Sequence, residues 1–490
     1  MRSIRTGTAL AAAGAIRFVL RLLGKGATTL PGKVALRISP SFLEDISRNQ
    51  NVITVTGTNG KTTTTLMITE ILRGAGYFAG TNVSGANLAS GLATTFAEHD
   101  AEARRARRKG IPVVFVMETD EAAFAITAGK INPRVCVVTN LFRDQLDRFG
   151  ELLYTRSCIE KGLDATTGRI LLNADDSMIS ALRNGREERT EFFGLDEEHM
   201  LRNSVTNANM AGILPFSSDA EYCLKCKKKF EYSARSFGHF GVYSCPSCGD
   251  RRQEPDYSAY LEDALATTAP SPSTPIPSAS RALMILSDGN EKAETILPIP
   301  GLHNVYNSAA AIGACRIFGR EAGDAKLTLS LCAKTLATVR PAFGRTEQIS
   351  VGDKSFCILL VKNPIGLDRA LTHVSEAADI GGLYLLLNSN IADGTDVSWI
   401  WDVDFESKKY PESIYVSGER YAEMLLRLVY SGAVPEEIRH EEMNRSEVLF
   451  EEALAACPVG KCLYILPNYT AMLSLRKYLV KRFHLKKYWK

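Results

Sequence analysis

A chain of 490 residues that is 45% hydrophobic has enough apolar matter for two or three cored domains. Its 58 basic against 55 acidic residues leave a net charge of +3, too little to attract nucleic acid through bulk electrostatics. Of the eleven cysteines, seven (Cys136, Cys158, Cys315, Cys332, Cys357, Cys457 and Cys462) are scattered as ordinary reduced, buried thiols are, which argues against a disulfide-built secreted scaffold.

In chain order, residues 1–25 mix arginines with small and apolar residues. Arg17 and Arg21 interrupt the apolar stretch, which is too short to cross a membrane. The segment reads as an amphipathic helix lying on the protein body or on a membrane surface. No other segment reads as transmembrane, and a cytoplasmic protein is expected.

Residues 52–64 say most about function. A β-branched run ends at the turn Thr56-Gly57-Thr58-Asn59-Gly60-Lys61-Thr62-Thr63, and a helix is expected to follow to about Leu72. Backbone N–H groups of such a turn and helix start face a phosphate. Gly57 and Gly60 allow backbone approaches that a Cβ blocks. Lys61 can reach the β- and γ-phosphates of ATP, and the Thr62 hydroxyl can ligate Mg²⁺. Val55 stands where the strict pattern has a glycine, so this is a shortened phosphate loop.

Continuous apolar runs at 113–117, 135–139 and 170–172 predict parallel strands covered on both faces, with the ligand at their carboxyl ends. Glu118 follows the first run and is a candidate catalytic and Mg²⁺-binding carboxylate. Asn140 and Asp144 follow the second as candidates to orient ligand or metal, with Asp147 as a cap or salt-bridge residue. Asn173-Ala174-Asp175-Asp176 follows the third. The basic run at 104–109 reads as solvated surface.

Cys223-x2-Cys226 and Cys245-x2-Cys248 are two knuckles that place four thiolates around one tetrahedral Zn²⁺. All four ligands come from protein, so the predicted site is structural, in a ribbon at about 219–255. The lysines and arginines around it (Lys225, Lys227, Lys228, Lys229, Arg251, Arg252) raise nucleic-acid binding as an alternative, which the near-neutral chain disfavours. Residues 267–280, rich in Pro, Ser, Thr and Ala, read as a flexible loop. Gly301 to Asn307 opens a helix expected to run to about Phe318, and a hinge is expected between Ala337 and Glu347. Beyond Phe356, runs at 357–361, 383–387, 413–416 and 463–466 alternate with helical patterns at 367–377, 421–430 and 445–455, predicting a second α/β domain.

Together these segments resemble the Mur ligase family, ATP-dependent enzymes that join an amine to a carboxylate. The matching pieces are T-G-T-N-G-K-T-T at 56–63, the Glu118 strand end, T-N-L-x-x-D-x-L-D at 139–147, L-N-A-D-D at 172–176, P-G-x-H-N-x-x-N at 300–307 and F-G-R-x-E at 343–347. The resemblance implies an α/β fold: an N-terminal helical segment (1–45), a central P-loop ATPase domain (46–340) interrupted by the ribbon, and a C-terminal Rossmann-like domain (341–490). It places His303, Asn304 and Asn307 on the adenine and ribose side, and Arg345 at the phosphates.

The family's early D-Y-A-H-x-P of the last domain is replaced by Leu360-Val361-Lys362-Asn363-Pro364. That departure, the ribbon and the segment 387–402 resemble the branch that amidates the D-glutamate of lipid II, a cell-wall precursor, with ammonia from a GatD-like glutamine amidotransferase. The resemblance implies an acyl phosphate, peripheral work at the inner membrane face, and an Asp that completes the partner's Cys–His pair. Asp396 is the first choice, then Asp393 and Asp402. Trp399 and Trp401 are expected at the partner interface or in the core. A freestanding Mur-type amino-acid ligase is the alternative; no nucleic acid is expected.

Overall fold

The computed structural model describes the chain apart from residues 1–2, 24–27, 83–84, 144–151, 207–219, 237, 263–282, 297–300, 341–344, 433–437 and 486–490. The expected flexible loop, Asp144 and Asp147 lie outside the described residues. The chain divides into two compact units, the first ending at Arg340 and the second built on Pro341–Lys490.

The first unit carries β1 (Asn51–Thr56), β2 (Phe78–Thr81), β3 (Val113–Glu118), β4 (Val135–Val138), β5 (Arg169–Asn173) and β6 (Thr190–Leu195). Then come β7 (Glu231–Arg235), β8 (Gly241–Ser244), β9 (Tyr257–Leu261), β10 (Leu283–Ser287) and β11 (Lys292–Ile296). Nine of these strands form one sheet in the order β11-β10-β9-β6-β5-β4-β1-β3-β2. It is parallel from β2 to β9, and β10 and β11 close it as an antiparallel edge. The apolar runs are buried throughout, as helical cover on both faces demands: Val113–Glu118 and Val135–Val138 have no exposed residue.

Strand β1 pairs with β3 on one side and β4 on the other, and the strand order reverses there. Open α/β sheets bind ligands at such a reversal, beyond the strand carboxyl ends. The register aligns those ends: Val55 faces Glu118, and Thr56 faces Val138. The loops after β1, β3 and β4 therefore converge by construction.

Helix Lys61–Gly74 starts at Gly60, where φ is +84°. Helix Leu302–Ala322 is buried along most of its length. Ala309, Ala310, Ala311, Gly313 and Ala314 keep it slim enough to pack closely on both the sheet and the neighbouring Lys61–Gly74 helix. The seven scattered cysteines are all buried. The basic run caps the Ala89–Arg108 helix, where Arg105, Arg107 and Arg108 sit at the negative end of the helix dipole.

The second unit has β12 (Arg345–Val351), β13 (Lys354–Leu359), β14 (Ile380–Leu386), β15 (Ile414–Gly418), β16 (Ile438–Glu442) and β17 (Cys462–Pro467) in the order β12-β13-β17-β14-β15-β16. An antiparallel hairpin leads into four parallel pairings, and both sheet faces are cored. The antiparallel β12 and the edge strand β16 were not predicted; both carry mixed polar residues.

Candidate active site and cysteine cluster

The loop after β1 is held from below by the loop after β4. Asn140 grips Asn59 at both backbone groups: its Oδ1 accepts from Asn59 N–H at 2.8 Å and its Nδ2 donates to Asn59 C=O at 2.9 Å. Thr139 Oγ1 donates to the same carbonyl at 2.8 Å, and Thr58 N–H donates to Asn140 C=O at 2.9 Å. A Cβ on Gly57, whose φ is +118°, would stand 2.4 Å from Thr139 Oγ1. Gly57 is therefore demanded both by backbone angle and by space. Asn140, expected to orient ligand or metal, is thus seen holding the loop through both ends of its amide.

Lys61 is buried. Its ammonium donates to the carbonyls of Gly57 and Thr58, the latter at 3.2 Å, and pairs with Glu121 Oε1 at 3.0 Å. Glu121 is a partner that sequence reasoning missed. It is the first residue of the helix Glu121–Ile131, three positions after Glu118, and its Lys61 contact spans sixty residues of sequence. The Thr62 hydroxyl donates to Glu118 Oε2 at 2.8 Å. The two expected Mg²⁺ ligands are thus brought side by side. Asn82 fixes the Glu118 backbone, accepting from its N–H and donating to its C=O at 2.9 Å each.

The start of the Leu302–Ala322 helix meets this loop directly. Asn307 Oδ1 accepts from Thr64 Oγ1 at 3.2 Å and lies where a Gly60 Cβ would be, 2.3 Å away. Asn307 Nδ2 donates to Asn304 Oδ1 at 3.0 Å, and Asn304 Nδ2 lies 3.1 Å from His303 Nε2. A polar chain thus runs from the phosphate loop to His303. Asn307 and Asn304 serve the loop and hold the histidine, which is half-buried at the outer end. The Arg345 side chain lies outside the described residues.

The two aspartates of L-N-A-D-D do something the sequence did not reveal. Asp175 Oδ1 pairs with Arg252 Nε at 2.7 Å, and its Oδ2 accepts from Tyr306 OH at 2.6 Å. Asp176 accepts from Leu141 N–H at 2.9 Å and lies 3.2 Å from His239 Nε2. Arg252 and His239 belong to the cysteine ribbon, and Tyr306 to the helix that backs the phosphate loop. The buried carboxylates therefore weld ribbon, helix and sheet together. Charge–hydrogen-bond links of this kind cost about 3–5 kcal/mol when one partner is lost. Burial and the Asp175 carboxylate hold the Tyr306 phenol far above its ordinary pKa, so it stays a donor.

The ribbon itself is inserted between β6 and β9. Hairpin β7–β8 carries one knuckle before it and one after, and both knuckles fold alike. Lys227 N–H donates to Cys223 C=O and Gly249 N–H to Cys245 C=O, with φ of +61° and +71° at those two residues. The four sulfurs lie within 4.8 Å of one another, with Cys223–Cys248 at 3.5 Å and Cys226–Cys245 at 3.3 Å. A tetrahedral Zn–S site of ordinary bond length has edges of about 3.8 Å, so the donor set fits the metal. The four thiols titrate unevenly: the Lys228 backbone N–H leads in pulling Cys226 down to about 6, while at Cys248 the lowering by the Asp250 backbone N–H is outweighed by burial and the other cysteines, which push it up to about 12. Two of the surrounding lysines are paired, Lys225 with Asp250 and Lys229 with Glu221, and Arg252 is buried. Half of the basic belt is thus engaged within the protein, while Lys227, Lys228 and Arg251 are exposed.

In the second unit the three candidate aspartates separate. Asp393 is buried at the start of the Tyr469–Phe483 helix, accepting from Thr470 N–H at 2.8 Å and from its hydroxyl. Burial pushes its pKa up. Asp396 is exposed, and its Oδ1 accepts from Ser398 N–H at 2.8 Å. Asp402 is half-buried at the end of the single turn Ser398–Asp402. Trp399 packs on the core, whereas Trp401 is exposed, edge-on to Tyr430 at 5.6 Å. Asn363, in the stretch that replaces D-Y-A-H-x-P, caps the Pro364–Glu376 helix by accepting from Gly366 N–H at 2.8 Å.

Residues 55–243 match the Mur ligase middle domain and residues 360–472 match the MurT ligase C-terminal domain. The chain is 34% identical over 487 residues to the MurT subunit of lipid II isoglutaminyl synthase (glutamine-hydrolyzing) from Streptococcus pneumoniae, covering 98% of both chains. The chain belongs to the MurT family of Mur ligases. The Staphylococcus aureus MurT subunit is 29% identical over 429 residues, 87% of this chain and 88% of that one. Among solved structures, a pseudomurein peptide ligase type C from Methanothermus fervidus superposes with a TM-score of 0.63 at 20% identity, over 92% of this chain and 84% of that one. The MurF ligase from Thermotoga maritima, solved with ADP, gives 0.57 at 12% identity over 91% and 85%. These two likenesses establish the Mur ligase fold. In this MurT-family chain the cysteine ribbon is an insertion into that fold, tied down by Asp175 and Asp176.

Proposed function

We propose that this chain is the ATP-using subunit of a two-subunit ligase that amidates the D-glutamate α-carboxylate of the lipid II stem peptide to D-isoglutamine, working peripherally at the inner membrane face. One observation carries the reading: the likeness to a MurT subunit runs through both matched domains, and the phosphate loop and Glu118 come together at its centre.

The physical logic is that of carboxylate activation. The γ-phosphoryl group of ATP passes to a carboxylate oxygen and ADP leaves. Ammonia, released from glutamine by a GatD-like partner, then attacks the carbonyl carbon and phosphate departs. This chain's residues cradle and neutralise. The loop N–H groups and helix start at Gly60–Thr63 face the phosphates, and Lys61 supplies positive charge as negative charge develops. Thr62 and Glu118 would hold Mg²⁺, which screens the phosphate oxygens from the incoming carboxylate. His303 and Asn304 stand on the nucleoside side of the loop, with Asn307 bracing them, and Arg345 is assigned to the phosphates.

The test is reconstitution with a glutaminase partner, ATP, Mg²⁺, lipid II and either glutamine or ammonia, with the product read by mass. Loss of one mass unit from the stem peptide with ammonia as donor is expected. No amide with ammonia present would overturn the chemistry, and a product that forms only with an added amino acid would mark a freestanding ligase.

The cysteine cluster is proposed to hold Zn²⁺. The ribbon's own apolar core consists of little beyond Phe230 and Tyr243, whose rings meet edge-on at 4.9 Å, so metal must supply much of its stability. Cys226→Ser is expected to lower bound zinc from one ion per chain to nearly none and to lower the melting temperature by several degrees. Unchanged zinc by atomic absorption would refute the assignment.

A further inference from the structure

The helix Ile4–Leu22 is packed on the first unit by Ala9 and Ala13 on its inner face, and Arg17 and Arg21 pair with Glu98 at 2.9 and 3.3 Å. Its outer face breaks the rule for surface helices. Ile4, Gly7, Ala11, Gly14, Phe18 and Leu22, spaced at three and four residues, are all exposed, and none carries charge. A helix that borders water normally presents polar residues there. The apolar exposure concentrates at one end, where Phe18 is 64%, Leu22 73% and Leu23 64% exposed, beside the half-exposed Val19. Contiguous exposed hydrophobics of this size mark an interaction surface.

Charge points to its partner. Up to Leu43 the chain carries Arg2, Arg5, Arg17, Arg21, Lys25, Lys33 and Arg37 and no acidic residue; the first is Glu44. A chain close to neutrality overall thus opens with a run whose only charges are basic; in space, Glu98 answers Arg17 and Arg21 near the apolar end, and Arg5 and Arg37 lie toward the amino-terminal end of the helix, where Thr6 meets Ser39. Arg5, Lys33 and Arg37 are exposed. No described helix is long and apolar enough to cross a membrane. A basic helix with an apolar outer face that cannot span a bilayer lies in its interface, with apolar side chains among the acyl ends and cations among anionic headgroups.

We propose that this helix docks the protein on the surface of an anionic lipid bilayer, with Phe18, Val19, Leu22 and Leu23 among the acyl ends and the exposed Arg5, Lys33 and Arg37 against the headgroups. The small residues Gly7, Ala11 and Gly14 let the amino-terminal half lie close to the headgroups, while Phe18 and Leu22 insert. The inference deepens the membrane-side part of the function proposed above, yet it stands on the helix and its charge alone.

The test uses the full chain and vesicles without lipid II or ATP, so its outcome is independent of whether the amidation reading holds. Co-sedimentation with phosphatidylcholine vesicles containing phosphatidylglycerol is expected, with much weaker binding to phosphatidylcholine alone and loss in about 0.5 M salt. The double variant F18E/L22E is expected to bind about tenfold or more weakly while keeping the wild-type melting curve, since both side chains face outward. R5E/R37E is expected to lose the preference for anionic lipid. Equal binding of wild type and F18E/L22E would overturn the proposal, as would failure of the wild type to sediment. Self-association in the absence of lipid that F18E/L22E abolishes would do so as well, by assigning the face to a second copy.

Discussion

Lys61→Met is expected to lower the rate of ammonia-dependent, ATP-driven amidation by about a thousandfold or more, the scale of losing a charge that acts mainly on the transition state. The same change also leaves Glu121 buried without its cation, a situation that costs about 3–5 kcal/mol. Reduced activity alone would therefore be ambiguous. The double variant Lys61→Met/Glu121→Leu removes both charges and is expected to recover most of the lost stability while remaining inactive. A melting curve and an initial rate on the three proteins separate the two effects. If the double variant regains activity along with stability, Lys61 is a structural cation and the phosphate assignment fails. Glu121→Gln is the complement: it keeps a hydrogen-bonding partner within reach of Lys61, and is expected to retain far more activity than Lys61→Met.

What could be read in advance was whatever the chain encodes locally. The glycines, lysine and threonine of the phosphate loop are contiguous, and so is each cysteine knuckle. Local steric rules then dictate the backbone, which is why positive φ falls at Gly57, Gly60 and Gly249. The continuous apolar runs of β3 and β4 likewise announce strands covered on both faces. The pairings that hold these pieces together were not legible, because they join residues far apart whose side chains have several possible uses. Glu121 reads as an ordinary acidic residue at a helix start, yet it is the partner of Lys61. Asn140 reads as a ligand group at a strand end, yet both ends of its amide close on Asn59. Asp175 and Asp176 read as further strand-end acids until the fold brings Arg252, Tyr306 and His239 onto them.

That last pairing gives the ribbon a mechanical meaning. Tyr306 lies one residue before Asn307, and Asn307 braces the phosphate loop at Gly60 and Thr64. Asp175 therefore sits between the ribbon's Arg252 and the helix that braces the loop after β1. The insertion is fixed to the sheet beside the elements that shape the loop after β1, rather than hung from a distant loop. A ribbon whose cysteine cluster is broken would loosen a carboxylate shared with the helix that braces this loop, linking the integrity of the cluster to the geometry of the loop.

Asp396→Asn is expected to abolish amidation driven by glutamine, by about a thousandfold, while leaving amidation driven by added ammonia within about twofold. The proposal behind it is that this carboxylate orients the histidine of the partner's Cys–His pair and stabilises its charged form. Such a group must be ionised and must face outward. Asp396 does face outward, and the local bond to Ser398 N–H engages only one of its two carboxylate oxygens. Asp393 is differently placed: burial raises its pKa, and its oxygens hold both the N–H and the hydroxyl of Thr470. Asp393→Asn is accordingly expected to lower both the ammonia-driven and the glutamine-driven rates together, through a loosened Tyr469–Phe483 helix. Asp402, half-buried at the end of its turn, is expected to behave like Asp393. The two donors thus give each aspartate a separate signature. A glutamine-specific defect in Asp393→Asn, with Asp396→Asn unaffected, would move the partner-facing role to Asp393 and require its contacts with Thr470 to break on assembly.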